Sequence, residues 1–139
     1  MKVLFLDVDG VVNNHRTPQT DGWPIDPYCA FLVGKIQIET GCEKVLSSSW
    51  RHSDDGIMAV QKKVVKLLDC TPTERAGMES RGSEIKAWLE AHPEVTRYAI
   101  LDDNRDMLDE QMPNFFQTYF FCCGLTEDIA NKVIKHLNS

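Results

Sequence analysis

The chain has 139 residues, of which 42% are hydrophobic and 26% are charged, and its formal net charge is −6. These values are typical of one soluble globular domain, so we assign residues 1–139 to a single domain. They argue against a broad cationic surface for nucleic acid, and no apolar stretch is long enough to cross a membrane. The five cysteines lack the C-x-x-C spacing of a zinc site, which favours mostly buried thiols in a reducing cytoplasm.

The first half of the chain alternates short apolar segments with helical ones. Residues 3–8, apolar up to Asp7, predict a buried strand, and a polar loop follows over 13–24. An N-cap and proline at 26–27 begin a helix that continues to about residue 40. A second strand is predicted at 44–47 and a second helix at about 55–68. The expected inner face of the first helix is Tyr28, Phe31, Leu32 and Ile36, and that of the second is Val60, Val64 and Leu67 or Leu68.

The second half continues the same alternation. A loop over 70–80, with one short strand near its start, leads to a helix at 83–91 and a clear strand at 98–101. A further strand is expected at 115–122, with the Cys122-Cys123 pair packed at its end, and Thr126 caps a last helix. Strands separated by helices predict a parallel sheet in a three-layer α/β/α, Rossmann-like fold.

Polar side chains follow three of the predicted strands. Asp7 and Asp9 end the first, Ser47–Ser49 the second, and Asp102-Asp103 the strand at 98–101. Ligands of parallel α/β sheets bind at the carboxyl ends of the strands. We therefore expect these groups to lie together and to form the functional site.

The residue types at these strand ends match the needs of phosphate-ester hydrolysis. Asp7 and Asp9, two residues apart, share one face of the strand, so one can attack phosphorus while the other transfers protons. A serine hydroxyl can bind the phosphate, and Arg81 or Lys86 can neutralise it. Asp102-Asp103 supply further carboxylates, the ligands that Mg²⁺ prefers.

These motifs resemble those of haloacid dehalogenase superfamily phosphatases. Asp7-Val8-Asp9-Gly10-Val11 matches the first motif, and Val45-Leu46-Ser47-Ser48 the second. Arg81, opening Arg81-Gly82-Ser83-Glu84-Ile85, is the best match to the third motif, where lysine is common. Ile100-Leu101-Asp102-Asp103 matches the fourth. The resemblance is greatest to a small subgroup without a cap, found in phage and bacterial genomes and in modular RNA-repair proteins.

The resemblance implies specific roles. Asp7 would be the nucleophile that forms an aspartyl-phosphate, and Asp9 the general acid and base. Mg²⁺ would be held by Asp7, the Asp9 carbonyl and Asp102 or Asp103. Ser48 is our choice for phosphate binding, because it precedes the Trp-Arg pair by two residues, with Ser47 and Ser49 as alternatives. The expected site residues are Asp7 and Asp9 for catalysis, Ser48, Ser49 and Arg81 for phosphate, and Asp7, Asp9, Asp102 and Asp103 for metal.

The sequence is compatible with more than one class of substrate. Neither interval between the motifs holds an inserted cap, so an open site could admit a phosphorylated small molecule, a nucleotide or a nucleic-acid end. A 3′-phosphatase on nucleic-acid ends is the second hypothesis, by analogy with repair relatives. Arg16, Arg51 and Arg75 near the expected mouth support it, and Lys86 is a further possible contact. The alternative from another class is a non-catalytic phosphate- or metal-binding module with the same fold.

Overall fold

The computed structural model describes residues 1–73 and 80–139. Its strands are β1 (Lys2–Leu6), β2 (Glu43–Leu46), β3 (Asp69–Cys70), β4 (Arg97–Asp102) and β5 (Phe115–Gln117). They form one parallel sheet in the order β3-β2-β1-β4-β5. The parallel sheet expected from the alternating pattern is confirmed, including the short strand β3.

Helices cover both faces of the sheet. They are α1 (Pro27–Thr40), α2 (Asp54–Lys63), α3 (Arg81–Glu90) and α4 (Glu127–Leu137), with 3₁₀-helices at Ser49–His52 and Asp109–Asn114. Buried residues of α1, α2 and α4 share one apolar core with Leu4 and Leu6 of β1. Ile85 and Trp88 of α3 pack with Val3 and Phe5 on the opposite face. The fold is therefore a three-layer α/β/α, Rossmann-like domain, as predicted.

The register of the sheet brings the predicted site residues to one level. Leu6 pairs with Leu46 of β2 and with Leu101 of β4. The ladder continues one residue further, where the Asp7 amide donates to the Leu101 carbonyl over 3.1 Å and the Ser47 amide to the Leu6 carbonyl over 2.9 Å. Parallel pairing thus places the ends of β1, β2 and β4 side by side.

The predicted inner face of α1 is wrong at two positions. Tyr28 and Phe31 are exposed, whereas Leu32 and Ile36 are buried as expected. The sheet side of the helix also carries Cys29 and Val33. Apolar side chains occur all around this helix, so their spacing alone did not identify the buried face.

Two predicted elements end earlier in the structure. Helix α2 stops at Lys63, and the Leu68 amide then donates to the Lys44 carbonyl, because the following residues carry the chain to β3. Strand β5 stops at Gln117 rather than Cys122. The amides of Cys122, Cys123 and Gly124 all donate to the Tyr119 carbonyl, so a turn, not a strand, follows β5.

The cysteines fall into two groups. Cys29 and Cys42 are buried and Cys70 is half-buried, all three as free thiols, and burial raises the pKa of Cys29 to about 11. The Sγ atoms of Cys122 and Cys123 are bonded to each other. This pair lies in the turn after β5, which corrects the expectation of strand-end packing.

The intervals between the strand ends are short. Between Val11 and β2 the chain forms a loop and α1, and after Ser47 the described residues form a 3₁₀-helix, α2 and β3. These described residues form no cap over the strand ends, as expected. Across residues 1–73 and 80–139, none of the helices is both long and apolar enough to span a bilayer.

Candidate active site

Three carboxylates meet at the carboxyl ends of β1 and β4. One oxygen each of Asp7, Asp102 and Asp103 lies within 4.8 Å of the others. Asp7 and Asp102 are buried, and Asp103 is half-buried. The sequence predicted this grouping, because paired strands end at the same edge of a sheet.

Arg81 is the cation nearest to this cluster among the described residues. Its Nη1 lies 3.1 Å from Asp7 Oδ1 and 2.8 Å from Asp102 Oδ2. Arg81 is the first residue of α3, and its amide donates to the Asp106 carboxylate, which ties the helix to the loop after β4. Lys86, the alternative cation, instead pairs with Glu110 on the surface, and phosphate binding by Arg81 stays a prediction.

The crowding of carboxylates changes how they titrate. Burial raises the pKa of Asp7 well above its ordinary value, and the neighbouring Asp102 raises it further. Burial and Asp102 also raise the pKa of Asp103. Burial lowers the pKa of Arg81, but Asp7 and Asp102 more than compensate and raise it overall. The cluster thus carries more negative charge than the protein's own groups neutralise.

The cluster fits a divalent cation. All of its donor atoms are carboxylate oxygens, the hard ligands that Mg²⁺ prefers. With every group ionised, three carboxylates and one guanidinium leave a net charge of about −2, which one divalent ion balances. Asp7, Asp102 and Asp103 are the side chains that would hold it. The Asp9 side chain lies outside this cluster, so its expected part in metal binding stays a prediction for its carbonyl.

Gly10 allows the first loop to pass close to the cluster. Its φ is +84°, and a Cβ at this position would lie 2.3 Å from Asp103 Oδ2. Its carbonyl accepts a hydrogen bond of 2.6 Å from Thr118 Oγ1, just after β5. Only glycine combines this conformation with this approach.

The three serines after β2 have different surroundings. Ser48 is buried, and its Oγ accepts the Trp50 amide over 3.1 Å, which caps the following 3₁₀-helix. The Ser47 Oγ is buried and has no partner among the described residues. Ser49 is exposed. Ser47 and Ser48 therefore each keep a hydroxyl proton that could be donated to a phosphate oxygen.

Asp9 is exposed and lies apart from the metal-type cluster. Asn13 Nδ2 donates to its Oδ1 over 3.0 Å, and the indole Nε1 of Trp50 donates to its Oδ2 over 3.1 Å. The sequence predicts a packing role for Trp50 and no specific role for Asn13. A polar residue four positions after Asp9 was the one signal available for it.

Arg51 does not have the surroundings of a substrate contact. Its side chain is only 4% exposed, and its Nη2 lies 2.6 Å from Glu84 Oε2. Its remaining N–H groups donate to backbone carbonyls of Ser47, Ser48, Thr71 and Pro72. The predicted contact is corrected: Arg51 joins the loop after β2 to α3.

Arg16 is exposed beside a surface pocket of about 400 Å³. Arg75 lies outside the described residues.

Three aromatic residues near Arg16, which the sequence predicted to lie in a strand, follow β5. Tyr119 and Phe121 are 56% and 83% exposed, and Phe120 packs edge-on against Phe121 with ring centroids 5.0 Å apart. The His15 amide donates to the Phe120 carbonyl over 3.0 Å. We name Tyr119, Phe120, Phe121 and His15 the aromatic rim.

Comparison with known families agrees with this geometry. Residues 3–130 match the family model described as the HAD domain in Swiss Army Knife RNA repair proteins. The chain belongs to this family. Searches of curated proteins and of solved structures found no significant match. The family match accounts for the fold, and it supports a hydrolase of the phosphatase type.

Proposed function

We propose that this HAD domain is a Mg²⁺-dependent phosphomonoesterase that works through an aspartyl-phosphate on Asp7. The observation that carries the proposal is the carboxylate cluster of Asp7, Asp102 and Asp103 with Arg81 in contact. Two of these carboxylates are buried, and such an arrangement is costly unless a cation completes it.

The proposed reaction has two steps. In the first, Asp7 attacks phosphorus, the ester P–O bond breaks, and Asp9 gives its proton to the departing oxygen. In the second, Asp9 takes a proton from water as that water attacks phosphorus, which frees Asp7 and inorganic phosphate. Arg81 and the hydroxyl of Ser48 bind the phosphate oxygens throughout. Bound Mg²⁺ would reduce the repulsion between the anionic nucleophile and the anionic phosphate.

The exposed position of Asp9 agrees with the role of proton donor. A general acid has to reach the leaving oxygen, which lies on the side of phosphorus opposite to the attacking carboxylate. Asp9 is exposed while Asp7 is buried, and the two belong to different hydrogen-bond groups. The two aspartates thus have different environments: Asp7 is buried, as suits the proposed nucleophile, and Asp9 is exposed, as suits the proposed proton donor.

We further propose a nucleic-acid end as the substrate, with a 3′-phosphate as the group removed. The family description names RNA repair proteins, and the described residues form no cap that would exclude a large substrate. The aromatic rim follows Thr118, whose hydroxyl donates to Gly10 at the site, and exposed aromatic rings stack on nucleobases. Arg16 adds an exposed positive charge near the rim.

The direct test is phosphate release from p-nitrophenyl phosphate and from oligonucleotides with a 3′- or a 5′-phosphate. We expect turnover with Mg²⁺, none with a chelator, and none for Asp7→Asn. Ser48→Ala is expected to raise KM, with Ser47→Ala as its comparison. Undiminished turnover by Asp7→Asn would refute the mechanism. Mg²⁺ binding without turnover of any ester would instead favour the non-catalytic module, and preference for free nucleotides would refute the proposed substrate.

A further inference from the structure

Both oxygens of the Asp9 carboxylate are held by donors from different parts of the chain. Asn13 Nδ2 contacts Oδ1 at 3.0 Å from within the loop after β1, and Trp50 Nε1 contacts Oδ2 at 3.1 Å from the 3₁₀-helix after β2. Asp9 is exposed, whereas Asn13 is 1% and Trp50 is 7% exposed. Two buried donors therefore fix one exposed acceptor.

Each donor is itself held in place. The Trp50 ring packs edge-on against Trp23 with centroids 4.9 Å apart, and the Trp50 amide donates to Ser48 Oγ. A Cβ at Gly56 would lie 2.4 Å from the Trp50 carbonyl, so the start of α2 packs closely on this residue. The indole N–H consequently has little freedom to turn away from Asp9.

Asn13 is anchored on both atoms of its amide group. Its Oδ1 accepts the Gly10 amide over 2.9 Å, and its Nδ2 donates to the Pro24 carbonyl as well as to Asp9. The amide thus connects the turn at Gly10, the far end of the loop and the Asp9 carboxylate. The orientation of Asp9 depends on a network that includes no residue of the metal-type cluster.

We propose that Trp50 and Asn13 are positioning residues for proton transfer by Asp9, an inference that rests on the proposed function. A carboxylate offers about four lone-pair sites, and these two donors occupy one on each oxygen. The sites that remain can carry the proton that passes to the departing alkoxide when the P–O bond breaks. They can later accept a proton from the attacking water.

Asp9 needs positioning residues because its side chain is exposed. A free aspartate at the surface samples several side-chain rotamers, and most of them put the carboxyl out of reach of the leaving oxygen. General acid catalysis contributes about 10²- to 10⁴-fold to a rate when the acid is well placed. Two hydrogen bonds, one to each oxygen of Asp9, are strong enough to select one rotamer.

The predicted signature is a dependence on the leaving group. Phenyl phosphate and p-nitrophenyl phosphate differ in one nitro group, but phenol has a pKa of about 10, like tyrosine, whereas nitrophenol is much more acidic. The nitrophenolate departs without needing a proton, and phenolate needs one. The ratio kcat/KM covers only the steps up to departure of the leaving group, so it isolates proton donation by Asp9.

The main variant is Trp50→Phe, which keeps an aromatic ring against Trp23 and removes the N–H. We expect kcat/KM to fall about 10-fold or more with phenyl phosphate and less than about 3-fold with p-nitrophenyl phosphate. Trp88→Phe is the matched control, because the Trp88 indole donates to Asp69 over 2.8 Å on the α3 side of the sheet. It should change both esters by the same factor.

Asn13→Asp provides a second variant that acts on the other oxygen. It keeps an acceptor for the Gly10 amide but replaces the donor to Asp9, and the same leaving-group dependence is expected. An equal loss on both esters in either folded variant, or no loss at all, would overturn the positioning role. A wild-type protein inactive on both esters would instead contradict the proposed function, and this inference with it.

Discussion

The guanidinium of Arg51 lies 2.6 Å from the carboxylate of Glu84, and both side chains are at most 5% exposed. Glu84 belongs to α3, the helix that begins with Arg81, and Arg51 also donates to the carbonyls of Ser47 and Ser48. One ion pair therefore connects the serine loop to the helix that carries Arg81, the proposed phosphate-binding residue.

Breaking this pair should destabilise the protein. We expect Arg51→Ala or Glu84→Ala to lower the free energy of unfolding by about 3–5 kcal/mol, because each removes one charge of a buried ion pair. Lys86→Ala, which removes the exposed pair with Glu110, should cost less than about 1 kcal/mol. Urea unfolding of the three variants measures the difference, and equal small effects would show that Arg51 is not such a link.

Gly10→Ala tests the close approach of the first loop to Asp103. The added methyl group meets Asp103 Oδ2, so we expect Mg²⁺ binding and turnover to fall together, about 100-fold in kcat/KM. Gly22 has the same φ of +84°, but a Cβ there would meet nothing within 4 Å, so Gly22→Ala carries the backbone strain alone, about 1–2 kcal/mol. Similar kinetics for the two variants would mean that strain, not the contact with Asp103, matters.

Asp7→Asn should stabilise the protein in the absence of divalent ions. The pKa of Asp7 is raised in the folded state, so its contribution to stability is present below the unfolded value of 3.8 and is lost as pH rises through the folded value. Asparagine resembles the neutral acid and avoids that loss. With chelator, thermal unfolding should show a higher Tm for Asp7→Asn at pH 7 and no advantage near pH 3.

Asp21→Asn is a control for which we expect the opposite change in Tm. Its hydrogen bond from Lys63 lowers the pKa of the exposed Asp21, so its contribution to stability is present above the unfolded value and is lost as pH falls. The same substitution should therefore lower Tm slightly at pH 7 rather than raise it. A lower Tm for Asp7→Asn at pH 7 would contradict the picture of an overcrowded carboxylate cluster.

Phe121→Ala tests the aromatic rim. If the rim stacks on a base beside the scissile phosphate, KM for a 3′-phosphorylated oligonucleotide should rise about 5- to 100-fold, equivalent to ~1–3 kcal/mol of stacking. The increase for glycerol phosphate, which has no base, should be much smaller. Phe31→Ala removes a ring that is 65% exposed on α1 and serves as the control. Equal changes for both substrates would argue against stacking.

The order of residues along the chain was enough to specify the fold class, the order of the main elements and the identity of the central carboxylates. Apolar runs that end in Asp7, in serines and in Asp102-Asp103 specify parallel strands, and parallel strands must end at one edge. The family motif also made Arg81 the best match for the third motif, with Lys86 as the alternative. The sequence alone predicts these features because they depend on residues that are neighbours along the chain.

Only the tertiary structure shows which side chains contact each other. Arg51 and Glu84 are 33 residues apart, and Trp50 and Asp9 are 41 residues apart, so no local spacing predicts either contact. The buried face of α1 and the turn after β5 were misjudged for the same reason. Burial and hydrogen bonding between distant segments depend on how the layers pack. Because of that packing, Arg51, an expected substrate contact, forms an internal ion pair with Glu84. Trp50, which was expected only to pack, also donates a hydrogen bond to Asp9.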